Sequence, residues 1–73
     1  MQVRTNIEYS FTANFVTYHV GDNVEVKTEF LDRCGEITEI NFDSFEIAVC
    51  GDDERLIEIK YGDLTSIKMD NGL

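Results

Sequence analysis

The strongest constraint on the fold is the alternation of apolar and polar residues between positions 20 and 49. From Val24 to Phe30 every second residue is apolar or Thr, with charged residues between them, and Phe45, Ile47 and Val49 repeat the pattern. A period of two is typical of a strand that buries one face. Turn residues recur every ~8–12 positions, as they do in all-β barrels and sandwiches. The sequence therefore predicts an all-β fold of short antiparallel strands.

The chain is 73 residues long, which predicts a single small domain over residues 1–73. We expect an N-terminal strand within residues 1–19, a core over residues 20–69 and a frayed tail at 70–73. Alternation from Ile7 to Phe15 indicates one half-buried strand, and the change of parity that follows predicts a bulge near Phe15 and Val16. A helix over part of residues 1–18 is the alternative.

Three local patterns refine this prediction. Residues 31–35 are predicted to form a loop. Ile37 and Ile40 lie three positions apart, which indicates a bulged and strongly bent strand. Residues 62–65 are long enough only for a single 3₁₀ turn, which precedes a short last strand at 66–69. Because closure into a barrel removes exposed edges, five or six such strands favour a small barrel.

Three segments resemble SH3-like and Sm-like small β-barrels. The pattern Gly-Asp-x-Val-x-Val at 21–26, followed by Gly-x-Ile-x-x-Ile at 35–40, is similar to the opening of such barrels, including the KOW type. The pattern at 57–67 is similar to their closing strand, 3₁₀ turn and final strand. The resemblance implies a five- to six-stranded SH3-like or Sm-like barrel with an extra N-terminal strand. It implies direct RNA binding or, as in the acidic Rho-binding antiterminator family, docking on nucleic-acid machinery.

The net charge of −9 limits the choice of partners. Residues 21–73 carry all of this charge, since Arg4 and Glu8 cancel in the first twenty residues. Affinity for nucleic acid comes mainly from Lys and Arg at phosphates, so direct binding is disfavoured. The charge favours docking on a basic protein surface, for example that of a nucleic-acid-binding enzyme whose phosphate contacts the acids would imitate. The alternative is that the charge only keeps a small domain soluble.

The predicted contact residues are of two kinds. Acidic residues at a hairpin tip would pair with Lys or Arg of the partner, and aromatic residues would act as interface anchors, because such rings dominate interface hot spots. The alternatives are a solvated turn and rings that belong to the core or plug a barrel end. The candidates for partner binding are Asp52, Asp53, Glu54, Phe42, Phe45 and Tyr18.

No catalytic pattern is present in the sequence. There are no paired carboxylates of defined geometry, no phosphate-binding loop and no nucleophile elbow, and the single histidine, His19, precedes a turn. Cys34 and Cys50 would lie nearly opposite each other if the chain turns at 41–44, so free thiols and a disulfide both stay open. A metal site would need His19 and an acid as well. We therefore predict a non-enzymatic protein without metal or cofactor.

Sequence signals for membranes and export are also missing. No apolar run approaches the ~20 residues that span a bilayer, and the first ten residues lack the pattern of a signal peptide. These observations predict a cytoplasmic protein. An edge strand within residues 1–18 could pair with a second copy, so a homo-oligomer is an open alternative.

Overall fold

The computed structural model describes residues 2–6, 9–52 and 55–70. This part of the chain forms eight strands and one 3₁₀ turn, η1, and the predicted all-β class is confirmed. In chain order the elements are β1 Val3–Asn6, β2 Ser10–Ala13, β3 Val16–His19, β4 Asn23–Thr28, β5 Asp32–Ile40, β6 Ser44–Val49, β7 Leu56–Lys60, η1 Tyr61–Asp63 and β8 Leu64–Met69.

The strands form two antiparallel sheets. The first has the order β1-β2-β3 and the second the order β7-β6-β5-β4-β8. Strands β7 and β8 occupy the two edges of the larger sheet and form no ladder with each other in the described residues, so the predicted closed barrel is not found. The smaller sheet instead packs Phe11 on Phe45 of the larger one, so the core is buried between two open sheets.

The N-terminal segment is three strands and not the single strand predicted for residues 1–19. Its second hairpin turns at Asn14 and Phe15, whose φ angles are 51° and 67°, and Ala13 pairs with Val16 across the turn. Two positive φ values are typical of two-residue hairpin loops. The parity change that predicted a bulge is therefore a complete hairpin, which the sequence hides because the turn contains no glycine.

Phe15 is an unfavourable residue at this turn, and Phe15→Gly is expected to stabilise the protein. A left-handed backbone costs a bulky residue ~1–2 kcal/mol, whereas glycine adopts it freely. Part of this gain is lost to the greater freedom of glycine in the unfolded chain. Because the ring is fully exposed, we expect the free energy of unfolding to rise by about 1 kcal/mol in urea titrations.

Asn14→Gly is the matched control, since Asn tolerates the left-handed region and should give a smaller gain. A lower stability for Phe15→Gly would contradict the described turn conformation.

Strand β5 differs from prediction at its start and agrees at its bulge. Residues 31–35 were predicted to be a loop, which is wrong, because β5 begins at Asp32 and Gly35 pairs with both neighbouring strands. The predicted bulge is confirmed by a register shift between Ile37 and Glu39. Gly35 is therefore part of a bent strand, where glycine permits a close approach of neighbouring backbone.

The aromatic centre of the core joins the two sheets. Phe11 of the smaller sheet lies 4.8 Å from Phe45 of the larger sheet and 5.1 Å from Tyr61 at the start of η1, measured between ring centroids. It also stacks on Tyr18 at 5.3 Å. Around these rings the buried aliphatic residues are Ala13, Val24, Val26, Ile37, Ile40, Ile47, Ile59, Leu64 and Ile67. The core therefore depends on both sheets.

Candidate protein-docking surface

Two of the predicted contact aromatics are core residues. Phe45 is 0% exposed and Tyr18 is 1% exposed, so neither ring is available to a partner. Tyr18 donates a long hydrogen bond of 3.4 Å to the carbonyl of Ile67. Burial, with a smaller contribution from the charge of Asp22, raises the pKa of its phenol. Both residues lie at inward-facing strand positions, which corrects the expectation that they form a contact surface.

Phe42 is the predicted aromatic that does face solvent, with 88% of its surface exposed. Three hydrogen bonds hold the turn between β5 and β6 that carries this ring. The Asn41 amide donates to the Ser44 carbonyl at 2.8 Å, the Tyr61 hydroxyl donates to the Asn41 carbonyl at 2.9 Å, and the Thr5 hydroxyl donates to the Phe42 carbonyl at 2.8 Å. An exposed ring on an ordered turn can bind with little loss of backbone entropy.

The predicted acidic tip is described only in part. Asp52 is exposed, and its carbonyl accepts a hydrogen bond of 2.9 Å from the Arg55 amide. Asp53 and Glu54 lie outside the described residues. Asp52 follows one end of β6 and Phe42 precedes the other, and a strand of this length spans roughly 20 Å. The structure therefore does not bring Asp52 and Phe42 into one compact patch.

A different group of acids lines an open cleft of about 710 Å³ beside η1. The turn between β4 and β5 forms one wall, and the corner made by β7, η1 and β8 forms the other. Three carboxylates and one lysine line this cleft, which gives it negative character: Glu29, Glu58, Asp63 and Lys60. We call this the η1 cleft.

Phe30 lies on the rim of the η1 cleft with 92% of its surface exposed. The alternation in the sequence predicted it as a core residue, but β4 ends at Thr28 and the chain turns before Phe30. The Thr28 amide donates to the Leu31 carbonyl at 2.7 Å, and the Phe30 amide donates to the Thr28 hydroxyl at 3.2 Å. The run Glu29-Phe30 next to a predicted loop was the only sequence signal for this surface.

Phe42 and the η1 cleft flank the same element. The amide of Tyr61, the first residue of η1, donates to the carbonyl of Asp43 at 3.1 Å. Two residues further on, Asp63 contributes to the wall of the cleft. The exposed rings of Phe42 and Phe30 therefore lie on the two turns that approach η1. Each of these residues has an acidic residue next to it in the chain.

In the described part of the chain, the basic residues do not form one cluster that neutralises the carboxylates of the η1 cleft. Lys27 lies 4.0 Å from Asp32, and Lys68 lies 3.7 Å from Glu25, measured between nitrogen and carboxylate oxygen. In the described part of the chain the basic residues are spread over β1, β4, β5, β7, β8 and the turn before β7. Lys27 and Lys68 lie on the neighbouring strands β4 and β8, but each has a carboxylate beside it, which weakens their attraction for a phosphate backbone.

The two cysteines lie side by side, as the sequence predicted. The Cys50 amide donates to the Cys34 carbonyl at 2.9 Å, and both thiols are free. A hydrogen bond with the Cys34 thiol raises the pKa of Cys50 to about 11, with smaller contributions from desolvation and from the charges of Cys34 and Asp70. Asp70 completes this group, whereas His19, which the sequence suggested a metal site would require, lies 3.8 Å from Asp22.

Comparison with known proteins gives no relative to guide the assignment. No family model, curated protein or solved structure matches the chain. Within the described ranges there is no helix long and apolar enough to cross a membrane.

Proposed function

We propose that this protein is a non-enzymatic interaction module whose η1 cleft docks on a basic surface of another protein. The observation that carries the proposal is the combination of three carboxylates with the exposed ring of Phe30 at one open cleft. Carboxylates at an interface attract and orient Lys and Arg of a partner. An adjacent aromatic ring adds a contact for their alkyl stems and for the cation itself.

The partner we propose is a nucleic-acid-processing protein in the cytoplasm. Such proteins carry basic grooves for phosphates, and a chain with a net charge of −9 is attracted to the same grooves. The bulge between Ile37 and Glu39 and the 3₁₀ turn before the last strand support the SH3-like or Sm-like interpretation of the fold. In this proposal the carboxylates of the η1 cleft occupy the positions that phosphates would take.

A pull-down with site variants tests this function. Tagged protein is incubated with cell lysate at low salt, and retained proteins are identified by mass spectrometry after washes of rising ionic strength. We expect a basic protein that is lost as salt screens the exposed charges, since the Debye length falls to ~3 Å at 1 M. Glu29→Lys and Phe30→Ala should each reduce its retention about tenfold or more, the equivalent of a hot-spot residue.

Asp52→Lys is the matched control, because it makes the same change of charge as Glu29→Lys at the opposite end of β7. Retention that falls equally with Asp52→Lys would show that net charge or the hairpin tip, and not the η1 cleft, selects the partner. Retention that does not depend on salt or on either cleft variant would refute the proposal.

A gel-shift assay with random single-stranded RNA addresses the competing interpretation. At low salt and tens of micromolar protein we expect no shifted band, because the net charge of −9 repels phosphates and two of the lysines lie beside carboxylates. A shift would favour direct RNA binding of the kind that the barrel resemblance implies. A size-exclusion profile of the same sample shows whether copies of the chain associate, as the exposed strand edges would allow.

A further inference from the structure

Three strand ends bring two thiols and a carboxylate together away from the η1 cleft. Cys34 lies in β5, Cys50 follows β6 and Asp70 follows β8. One ligand atom from each of these residues lies within 4.8 Å of the other two. Their positions in the sequence form no known metal-binding spacing, so this group exists only because the chain folds.

The backbone holds each of these residues in place. The Cys50 amide donates to the Cys34 carbonyl at 2.9 Å, and the Asp70 amide donates to the Asn23 carbonyl at 2.9 Å. Cys34 is also paired with Glu25 of β4. Because all of these contacts belong to one sheet, the three ligand atoms approach each other without any rearrangement of the backbone.

Size and chemistry both fit a tetrahedral metal ion. Zinc–sulfur bonds of ~2.3 Å at a tetrahedral angle place two sulfur atoms about 3.8 Å apart. The observed limit of 4.8 Å between ligand atoms therefore needs only small side-chain rotations. Two thiolates select a thiophilic ion, while a carboxylate and one water complete the four positions.

We propose that Cys34, Cys50 and Asp70 form a surface site for one thiophilic divalent cation such as Zn²⁺ or Cd²⁺. The cation binds as the two thiols release their protons, so that two thiolates and one carboxylate face it. It links β5, β6 and the end of β8 and stabilises the sheet at this end. This site is independent of the proposed docking function, since it shares no residue with the η1 cleft.

Cadmium titration of reduced, metal-free protein under anaerobic conditions tests the site. Thiolate-to-cadmium charge transfer absorbs in the ultraviolet, and Cys34 and Cys50 are the only two cysteines, so the band reports on them alone. We expect saturation at one equivalent of Cd²⁺ and a rise in the melting temperature. Cys34→Ser and Cys50→Ser should each remove at least half of the absorbance.

Asp70→Asn tests the third ligand. It should keep the band, because both thiolates remain, and weaken binding by at least the ~10-fold that loss of even an outer-shell partner causes. Asp52→Asn removes a carboxylate outside the group and should leave the affinity unchanged. Circular dichroism of each variant checks that the fold is retained.

Three results would overturn the proposal. The first is the lack of a band in reduced, folded protein at excess Cd²⁺. The second is saturation at half an equivalent with a doubled mass in solution, since the ion would then bridge two copies. The third is an affinity of Asp70→Asn equal to that of the unmodified protein, which would exclude Asp70 as a ligand.

Discussion

Phe11→Ala is expected to remove about half of the stability of this protein. Phe11 is completely buried and contacts the rings of Tyr18, Phe45 and Tyr61. Truncation of a buried Phe costs ~3–5 kcal/mol, because transfer energy is lost and a cavity remains. A 73-residue domain has only about 4–11 kcal/mol in total, at ~0.05–0.15 kcal/mol per residue. We expect a melting temperature at least about 12 °C lower in circular dichroism.

The control is Phe42→Ala, which truncates the same side chain at an exposed turn. Its effect on the free energy of unfolding should stay within ~0.5 kcal/mol. If Phe11→Ala cost less than about 1 kcal/mol, near the centre of the distribution for point mutants, the smaller sheet would not pack on the larger one as described.

Gly35→Ala is expected to destabilise the protein by about 3 kcal/mol, at the upper end of the range for overpacking. A Cβ atom at this position would overlap the carbonyl oxygen of Ala48 and lie 3.2 Å from the Cβ of Ile47. The first neighbour is backbone in the adjacent strand, so no side-chain rotation relieves the clash. Urea unfolding followed by circular dichroism measures the loss.

Gly62→Ala is the matched control for this substitution. A Cβ atom at Gly62 meets no atom within 4 Å, so alanine should be neutral or slightly stabilising there through the unfolded state. Equal losses at the two glycines would contradict the close approach of β5 and β6 at Gly35.

Much of the larger sheet could be predicted from the sequence because its strands follow a strict local period. Ile47 and Val49 lie on the predicted inward face of β6, and both are buried as expected. The bulge between Ile37 and Ile40 was also visible, since a spacing of three cannot keep two residues on one face of a regular strand.

The wrong predictions arose where one sequence feature is compatible with two different structures. Glycine marks loops as well as bent strands, so Gly35 was assigned to a loop although β5 passes through it. A change of parity marks a bulge as well as a tight hairpin, so the turn at Asn14 and Phe15 was missed. Its residues adopt an unfavourable backbone that only the pairing of β2 with β3 imposes.

The candidate surfaces were less predictable than the strands. The sequence proposed Phe42 as a candidate contact, and its ring is exposed. It also placed Cys34 near Cys50, because both inferences follow from one hairpin register. It offered Phe45 and Tyr18 as contacts with equal weight, since an aromatic residue beside a turn can point either way. Only the packing of the two sheets decides which rings are buried.

The sequence by itself determined the all-β class, the inward faces of β4 and β6, and the negative charge, since each depends on composition or on neighbours a few residues apart. The tertiary structure alone decided the η1 cleft and the group formed by Cys34, Cys50 and Asp70. Their members come from strands far apart in the chain. No local pattern encodes such groups, because strand order and sheet curvature set the distances between their side chains.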